Sequence, residues 1–343
     1  MADRTPPTRP TATPASLLPG DRWRLRESFA WLAVVAVYLA FPDRNGLMSE
    51  VAILALFALS LDLILGYAGI VSLGHAAFFG LGAYTAGLIA AHGWTEPLSG
   101  LVATGLFVAV GGFITSFLVL RGSDLTRLMV TLGIAMMLGE AASKAAWLTG
   151  GTDGLTGVVI DPILGLFAFD IYGGTAAAYS TLVLFVLFLV ARRLVASPFG
   201  MTLRGIKANP LRMTAIGTPV NRYLVAVYTI SAGYAGIAGA LLAQTTQFVS
   251  PEVLAFHRSA EVLLFLIIGG SGYLYGGIVG AIAFKLLQEW LSGLTAQYWQ
   301  FWLGLILVLL VLFARGGLGG LATAAIGRLR RWRNPAAAEE DRP

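Results

Sequence analysis

The chain has 343 residues, of which 57% are hydrophobic and 12% charged, with a mean hydropathy of +0.77. Soluble domains carry about 25% charged residues, so a water-soluble fold is excluded. The composition is that of an all-α polytopic membrane protein with no room for a separate soluble domain. The net charge of +5 does not point to nucleic acid, because the Arg residues gather at both termini and over residues 192–222, the marking of cytoplasmic segments.

In chain order, residues 1–28 contain five prolines and five arginines with little periodicity and read as a disordered cytoplasmic tail. A transmembrane domain over 29–315 follows, and a basic cytoplasmic tail closes the chain at 316–343. A span needs about 20 apolar residues. Candidates lie near 29–46, 48–68, 73–91, 98–120, 126–148, 172–191, 223–246, 259–271, 274–292 and 298–314, which predicts about ten transmembrane helices with Gly-broken spans. Only Gly272 and Tyr273 part the eighth from the ninth, so this pair reads either as two crossings or as one reentrant hairpin.

Lys and Arg set the orientation. Loop 192–222 holds Arg192, Arg193, Arg204, Lys207, Arg212 and Arg222 with no acid, whereas loop 149–171 holds Asp153, Asp161 and Asp170 with no base. The first is expected inside and the second outside. Counting spans in both directions from these loops puts both termini in the cytoplasm.

Residues 65–84 are apolar yet punctuated by Gly66, Gly69, Gly74, Gly80 and Gly82. Each glycine costs a helix about 1 kcal/mol against Ala. Their use is steric: small residues let backbones approach closely, and irregular backbone at membrane depth must line a cavity or be buried in protein. This segment, with Ser72 and His75 at the break, is the candidate translocation pathway. His75 reads either as a satisfied buried histidine or as a group facing a polar substrate.

Charges inside spans mark pairing or function. Asp62, one turn before the glycines, suits either pathway lining or an internal hydrogen bond. Glu140 and Lys144 have the i, i+4 order of an intrahelical pair. Lys285 and Glu289 near a span end are explained by snorkelling. Glu261 begins the short eighth span, either capping it or acting as a gate or substrate contact. Gly269, Gly270 and Gly272 form the bend that follows.

Within loop 192–222, Asn209 is a favoured N-cap, Pro210 suits the first helical position, and Gly217 and Pro219 stop the helix. This predicts about two turns with an apolar face of Leu211, Ala215 and Ile216, beside Lys207 and Arg212. Such a helix is too short to stand alone in water. The surface it needs is either lipid headgroups or a cytoplasmic partner protein.

Enzyme motifs are absent: there is no P-loop and no H-E-x-x-H, the three histidines are scattered, and no cysteine is present. No catalytic residue, metal site or cofactor is expected on this chain.

Several motifs, in order, resemble one family. They are Gly66-Tyr67-Ala68-Gly69, Ser72 through Gly80 with Gly82-Ala83-Tyr84, Thr149 through Leu155, Ser197-Pro198-Phe199-Gly200, Leu203 through Gly217, Phe248 through Glu252, Glu261, and Gly269 through Gly272. Together they resemble permease subunits of branched-chain amino-acid ABC transporters, and the M-type subunit most of all, over about residues 48–320. The resemblance implies a coupling helix at 209–217 docking into an ATP-binding subunit on another chain, so that ATP is used by partners. It also implies two such ATP-binding cassette subunits, a second homologous permease, a periplasmic binding protein and a bacterial inner-membrane location. The expectation is an importer working by alternating access. A secondary transporter using Asp62 or Glu140 as an ion site is the alternative, and urea, short amides or organic acids are alternative substrates.

Overall fold

A computed structural model describes residues 42–170, 172–294 and 297–313, with isolated helical positions between 31 and 40. The expected tails 1–28 and 316–343, and much of the expected first span, lie outside the described residues.

The described chain is helical, with isolated bridges at Leu155–Val249 and Ile163–Phe167 in place of any named strand. Helix α1 (Asn45–Asp62) ends in a π turn over Leu63–Tyr67. After a break come α2 (Ala76–Ala91), α3 (Pro97–Val119) and α4 (Asp124–Lys144). An irregular loop leads to α5 (Gly174–Ala196), then the short α6 (Pro198–Ala208) and α7 (Pro210–Ala215). The chain continues through α8 (Val220–Thr246), α9 (Phe256–Gly269), α10 (Leu274–Leu294) and α11 (Trp299–Phe313).

Five helices are long and apolar enough to cross a membrane, or six if the sharply bent pair α9–α10 forms one span. The expected ten is not reached among the described residues. Of the expected spans among the described residues, α2, α9 and α11 do fold as helices but have 16, 14 and 15 residues, short of a full crossing at 1.5 Å per residue. Between α9 and α10 the axis turns by 110°, as the Gly270–Gly272 bend predicts.

The core is built on α1 and α8. Helix α8 packs on α2, α3 and α1, while α1 also packs on α5 and α10. Small residues set these approaches. A Cβ on Gly82 would strike the backbone of Gly236, and one on Gly239 would strike the carbonyl of Phe79. Such contacts replace the hydrophobic driving force that lipid does not supply. Outside the spans, Glu96 caps α3 by accepting from Leu98 and Ser99 N–H. Hydrogen bonds from Ser99, first its hydroxyl and then its N–H, hold this carboxyl below the usual range.

Two charges predicted to snorkel make long-range pairs instead. Lys285 reaches Glu50 at 2.5 Å with its side chain only 10% exposed, and Glu289 pairs with Arg44 at 3.0 Å on the surface. Both tie α10 to the start of α1. The spacing of Lys285 and Glu289 carried no sign of these partners, because it describes only their own helix. The pair Glu140–Lys144 forms as expected, at 3.0 Å and exposed.

Candidate functional site

The Gly-broken segment is the centre of the site. Helix α1 widens at Leu63–Tyr67, where π geometry releases backbone groups from the regular ladder. The chain then crosses an irregular stretch in which Gly69 has φ +75°, and restarts as α2 at Ala76. Three other parts of the molecule meet this break.

The first is the α9–α10 bend. Gly272 N–H donates to Asp62 Oδ1 at 2.7 Å, so the buried carboxylate holds the bend against α1. Gly66 must be glycine here, because a Cβ would collide with the Asp62 carboxylate and lie 2.6 Å from Gly272 N. Of the two readings of Asp62, the internal hydrogen bond is the one observed. Its second oxygen, Oδ2, is buried and unpartnered among the described residues. Gly269 is equally constrained, since a Cβ there would strike the carbonyl of Gly276 in α10.

The second is the basic segment 198–217. Residues 198–208 form the amphipathic helix α6, which the reading of 192–222 as a loop missed. Its Pro198 at the helix start and its apolar Leu203 and Ile206, both buried, were the signal available. From α6, Lys207 Nζ donates to the Gly66 carbonyl at 2.7 Å, and its stem packs over Gly69. One turn earlier, the Arg204 guanidinium lies 5.3 Å from the centre of the Tyr67 ring. Helix α7 follows directly. Asn209 accepts from Arg212 N–H at 3.0 Å as its N-cap, and Gly217 ends it at φ +87°, both as predicted. Met213 folds back over Gly205 of α6. The predicted apolar face of α7 is left uncovered, with Leu211 82% and Ile216 74% exposed, and Ala215 and Arg212 beside them.

The third is the polar cluster around His75, which is fully buried and stacked on Phe57 with ring centres 5.6 Å apart. Ser60 Oγ donates its proton to the Phe57 carbonyl at 2.6 Å. The 2.8 Å contact between Ser60 Oγ and His75 Nε2 is therefore a bond in which Nε2–H donates. Nδ1 is then an acceptor, and it has no partner among the described residues. Ser231 Oγ of α8 donates to the Ser60 carbonyl at 2.6 Å, and Ala76 N–H donates to Ser259 Oγ of α9 at 2.9 Å. Ser72 Oγ is buried and has no partner among the described residues. Gly74 lets the break lie against the backbone of Thr131 in α4, and Gly80 makes room for Leu254.

Of the predicted pathway residues, Asp62, Gly66, Gly69 and Gly272 thus meet at one junction with Lys207, which was predicted for coupling. Glu261 stands apart from these contacts. It pairs with Arg258 at 3.0 Å and does not cap α9, whose N-cap position is Ala255. A cavity of about 820 Å³ lies elsewhere, between α3 and α5. It is lined by Leu98, Leu101, Leu182 and Val186 among others, and by none of the predicted site residues. No group of three or more metal-ligating side chains occurs among the described residues.

Comparison with known proteins gives a consistent picture. Residues 45–314 match the family model described as branched-chain amino acid transport system / permease component. The chain is 28% identical to the high-affinity branched-chain amino acid transport system permease protein LivM of Salmonella typhimurium, over 80% of this chain and 71% of that protein. It is 28% identical to LivM of Escherichia coli (strain K12), over 75% of this chain and 66% of that protein. No solved structure gives a significant match.

Proposed function

Since the chain belongs to the family of branched-chain amino acid transport permease components, we propose that it is the membrane subunit of an ATP-driven importer, moved by the helix pair α6–α7. The observation that carries this reading is the Lys207–Gly66 hydrogen bond. With Arg204 over the Tyr67 ring beside it, this bond ties the helix pair α6–α7 to the broken span. Helix α7 offers Leu211 and Ile216 to an ATP-binding cassette subunit. When that subunit moves, α7 carries α6, and α6 carries the π turn of α1. The Asp62–Gly272 contact passes the displacement to the α9–α10 bend.

Each ligand of such a machine must bind its two states differently. The unpartnered atoms Asp62 Oδ2, Ser72 Oγ and His75 Nδ1 are hydrogen-bonding capacity that the other state uses. The assembly comprises two ATP-binding subunits, a second homologous permease and a periplasmic binding protein, in a bacterial inner membrane with both termini cytoplasmic and about ten apolar segments in the bilayer. The substrate is a branched-chain amino acid, as the names of the two LivM relatives indicate. ATP is consumed by the partners, and no enzyme activity resides here.

The test is Gly217→Val in the reconstituted complex. Valine at φ +87° is strained, so α7 loses its terminus while every membrane contact stays. Leucine uptake should fall at least tenfold while the ATP-binding subunits still hydrolyse ATP. Unchanged, substrate-stimulated uptake would refute the coupling role. Uphill transport by this chain alone on an ion gradient would refute the ATP-driven reading itself.

A further inference from the structure

The cavity of about 820 Å³ between α3 and α5 takes no part in the junction described above, and its lining changes along its length. At the end next to the loop before α5 stand Asp170, Gly174 and Thr175, with the Tyr38 hydroxyl donating to the Gly174 carbonyl at 3.3 Å. Deeper in, the walls are Leu182, Val186 and Leu187 of α5, Leu101 and Val102 of α3, and Ile237 of α8. Tyr179 lies between the two regions, but its hydroxyl is engaged by Gln244 Oε1 at 3.0 Å. A polar solute would be desolvated there without partners, which is costly, so the deep end suits a hydrocarbon chain and not an amino acid. At 1.5 Å per residue the wall from Thr175 to Leu187 runs about 18 Å, close to one leaflet of a hydrocarbon core about 30 Å thick. Val102, Leu182 and Val186 are all exposed, so the groove opens sideways to whatever surrounds the helices.

The loop bends over the polar end. Ile163 and Phe167 exchange backbone hydrogen bonds at 2.9 and 3.2 Å. The turn they close holds Leu164 at φ +54°, a left-handed conformation that leucine rarely adopts. Strain of this kind collects at ligand clamps, and here it belongs to one of two exposed apolar side chains, Leu164 and Phe167, that line the cavity from the loop.

The charge at this end has one sign. Asp170 accepts from Thr175 N–H at 2.9 Å, and backbone hydrogen bonds, that one first, hold its carboxyl below the usual range. Loop 149–171 adds Asp153 and Asp161 and has no base. Arg44, whose neighbours Asn45 and Gly46 lie against Gly173, is engaged by Glu289 at 3.0 Å. A cationic headgroup complements this end, and a net-anionic one is repelled by it.

We propose that the groove between α3 and α5 is a site for one phospholipid with an ammonium headgroup, of the phosphatidylethanolamine type, its acyl chain along α5 from Thr175 to Leu187 and its ammonium at Asp170. Leu164 and Phe167 cover the glycerol end of the chain. Helix α3 packs on α8 and α5 packs on α1, so the lipid joins two helices that rest on different parts of the core. The site requires only that the spans lie in a bilayer, and it is independent of the importer reading.

The test uses the complete transporter, purified in detergent and offered phosphatidylethanolamine or phosphatidylglycerol of identical acyl chains, each carrying a diazirine in one chain. After irradiation, labelled residues are identified by mass spectrometry. The ethanolamine lipid should label 98–102 and 175–187 at least fivefold more than Leu106, Val110 and Phe113 on the outward stripe of α3, and at least fivefold more than the glycerol lipid does. Ala178→Trp puts a ring into the groove from an exposed lining position and should cut this labelling about tenfold, whereas Val110→Trp, exposed outside the groove, should leave it unchanged. Asp170→Asn keeps an oxygen for the Thr175 N–H and removes the charge. Its total labelling should hold while the preference for ethanolamine drops to twofold or less. Equal labelling of the groove and the α3 stripe would reveal only a shared lipid annulus. Equal labelling by the glycerol lipid would remove the headgroup assignment, and a groove that neither lipid labels would be one filled by a partner protein. Each of these three results overturns the proposal.

Discussion

Lys207 and Gly66 lie 141 residues apart, and the ammonium of the first donates to the carbonyl of the second at 2.7 Å. The carbonyl is available because the π turn and the following break release it from helical pairing. The donor is delivered by α6, whose buried Leu203 and Ile206 seat the helix on the membrane domain. A charge-assisted hydrogen bond of this kind contributes about 1.5–3 kcal/mol. Together with the Arg204 guanidinium over the Tyr67 ring, it joins α6 to the broken span.

Removing that donor should therefore uncouple before it unfolds. Lys207→Met keeps the stem over Gly69 and deletes the ammonium. Uptake by the reconstituted complex is expected to fall about tenfold or more, the factor equivalent to about 1.4 kcal/mol, with basal ATP hydrolysis retained. Lys207→Arg should recover part of the transport. Transport assays beside ATPase rates decide this, and equal loss of both would mean that the residue is only structural.

Glycines that look alike in sequence should respond differently to a single methyl. Gly74→Ala pushes a Cβ into the Thr131 backbone, whereas Gly46→Ala meets nothing within 4 Å. Overpacking costs about 1–3 kcal/mol. Thermal unfolding in detergent should show a clearly lowered midpoint for the first variant and none for the second.

The buried histidine is best tested as a pair. Ser60→Ala leaves Nε2–H of His75 without an acceptor and should cost about 1–2 kcal/mol. Adding His75→Phe removes the orphaned donor and keeps an aromatic ring on Phe57, so the double variant should regain most of that loss. Additive losses in chemical unfolding would contradict the bond between them.

Two ion pairs on α10 should separate by burial. Glu50→Gln strands the ammonium of Lys285, which is largely buried, and should destabilise by about 3 kcal/mol or more. Glu289→Gln breaks the exposed pair with Arg44 and should cost under about 1 kcal/mol. Comparing their unfolding midpoints gives the order directly, and a reversed order would show that Lys285 has water to turn to.

Much of this protein was legible in residue order. Composition set the membrane class, and apolar runs located the long helices, since hydropathy is a local sum. Asn209, Pro210 and Gly217 marked the ends of α7 because capping involves groups within one turn. The glycines of 66–82 marked the break for the same reason. Helix α6 was passed over because its charges masked an apolar stripe that becomes visible only at helical spacing.

What residue order left open was which segments meet. Asp62 accepts from Gly272, 210 residues away, and His75 donates to Ser60 across the break. Lys285 was assigned to solvent until Glu50 of another helix supplied its partner. Sequence by itself determined most of the helices and the ends of α7, from interactions within a few residues. Only the tertiary structure decided the pairing of buried polar groups, because a desolvated charge or N–H takes whichever partner helix packing brings within about 3 Å, and that packing depends on the small residues of every helix at once.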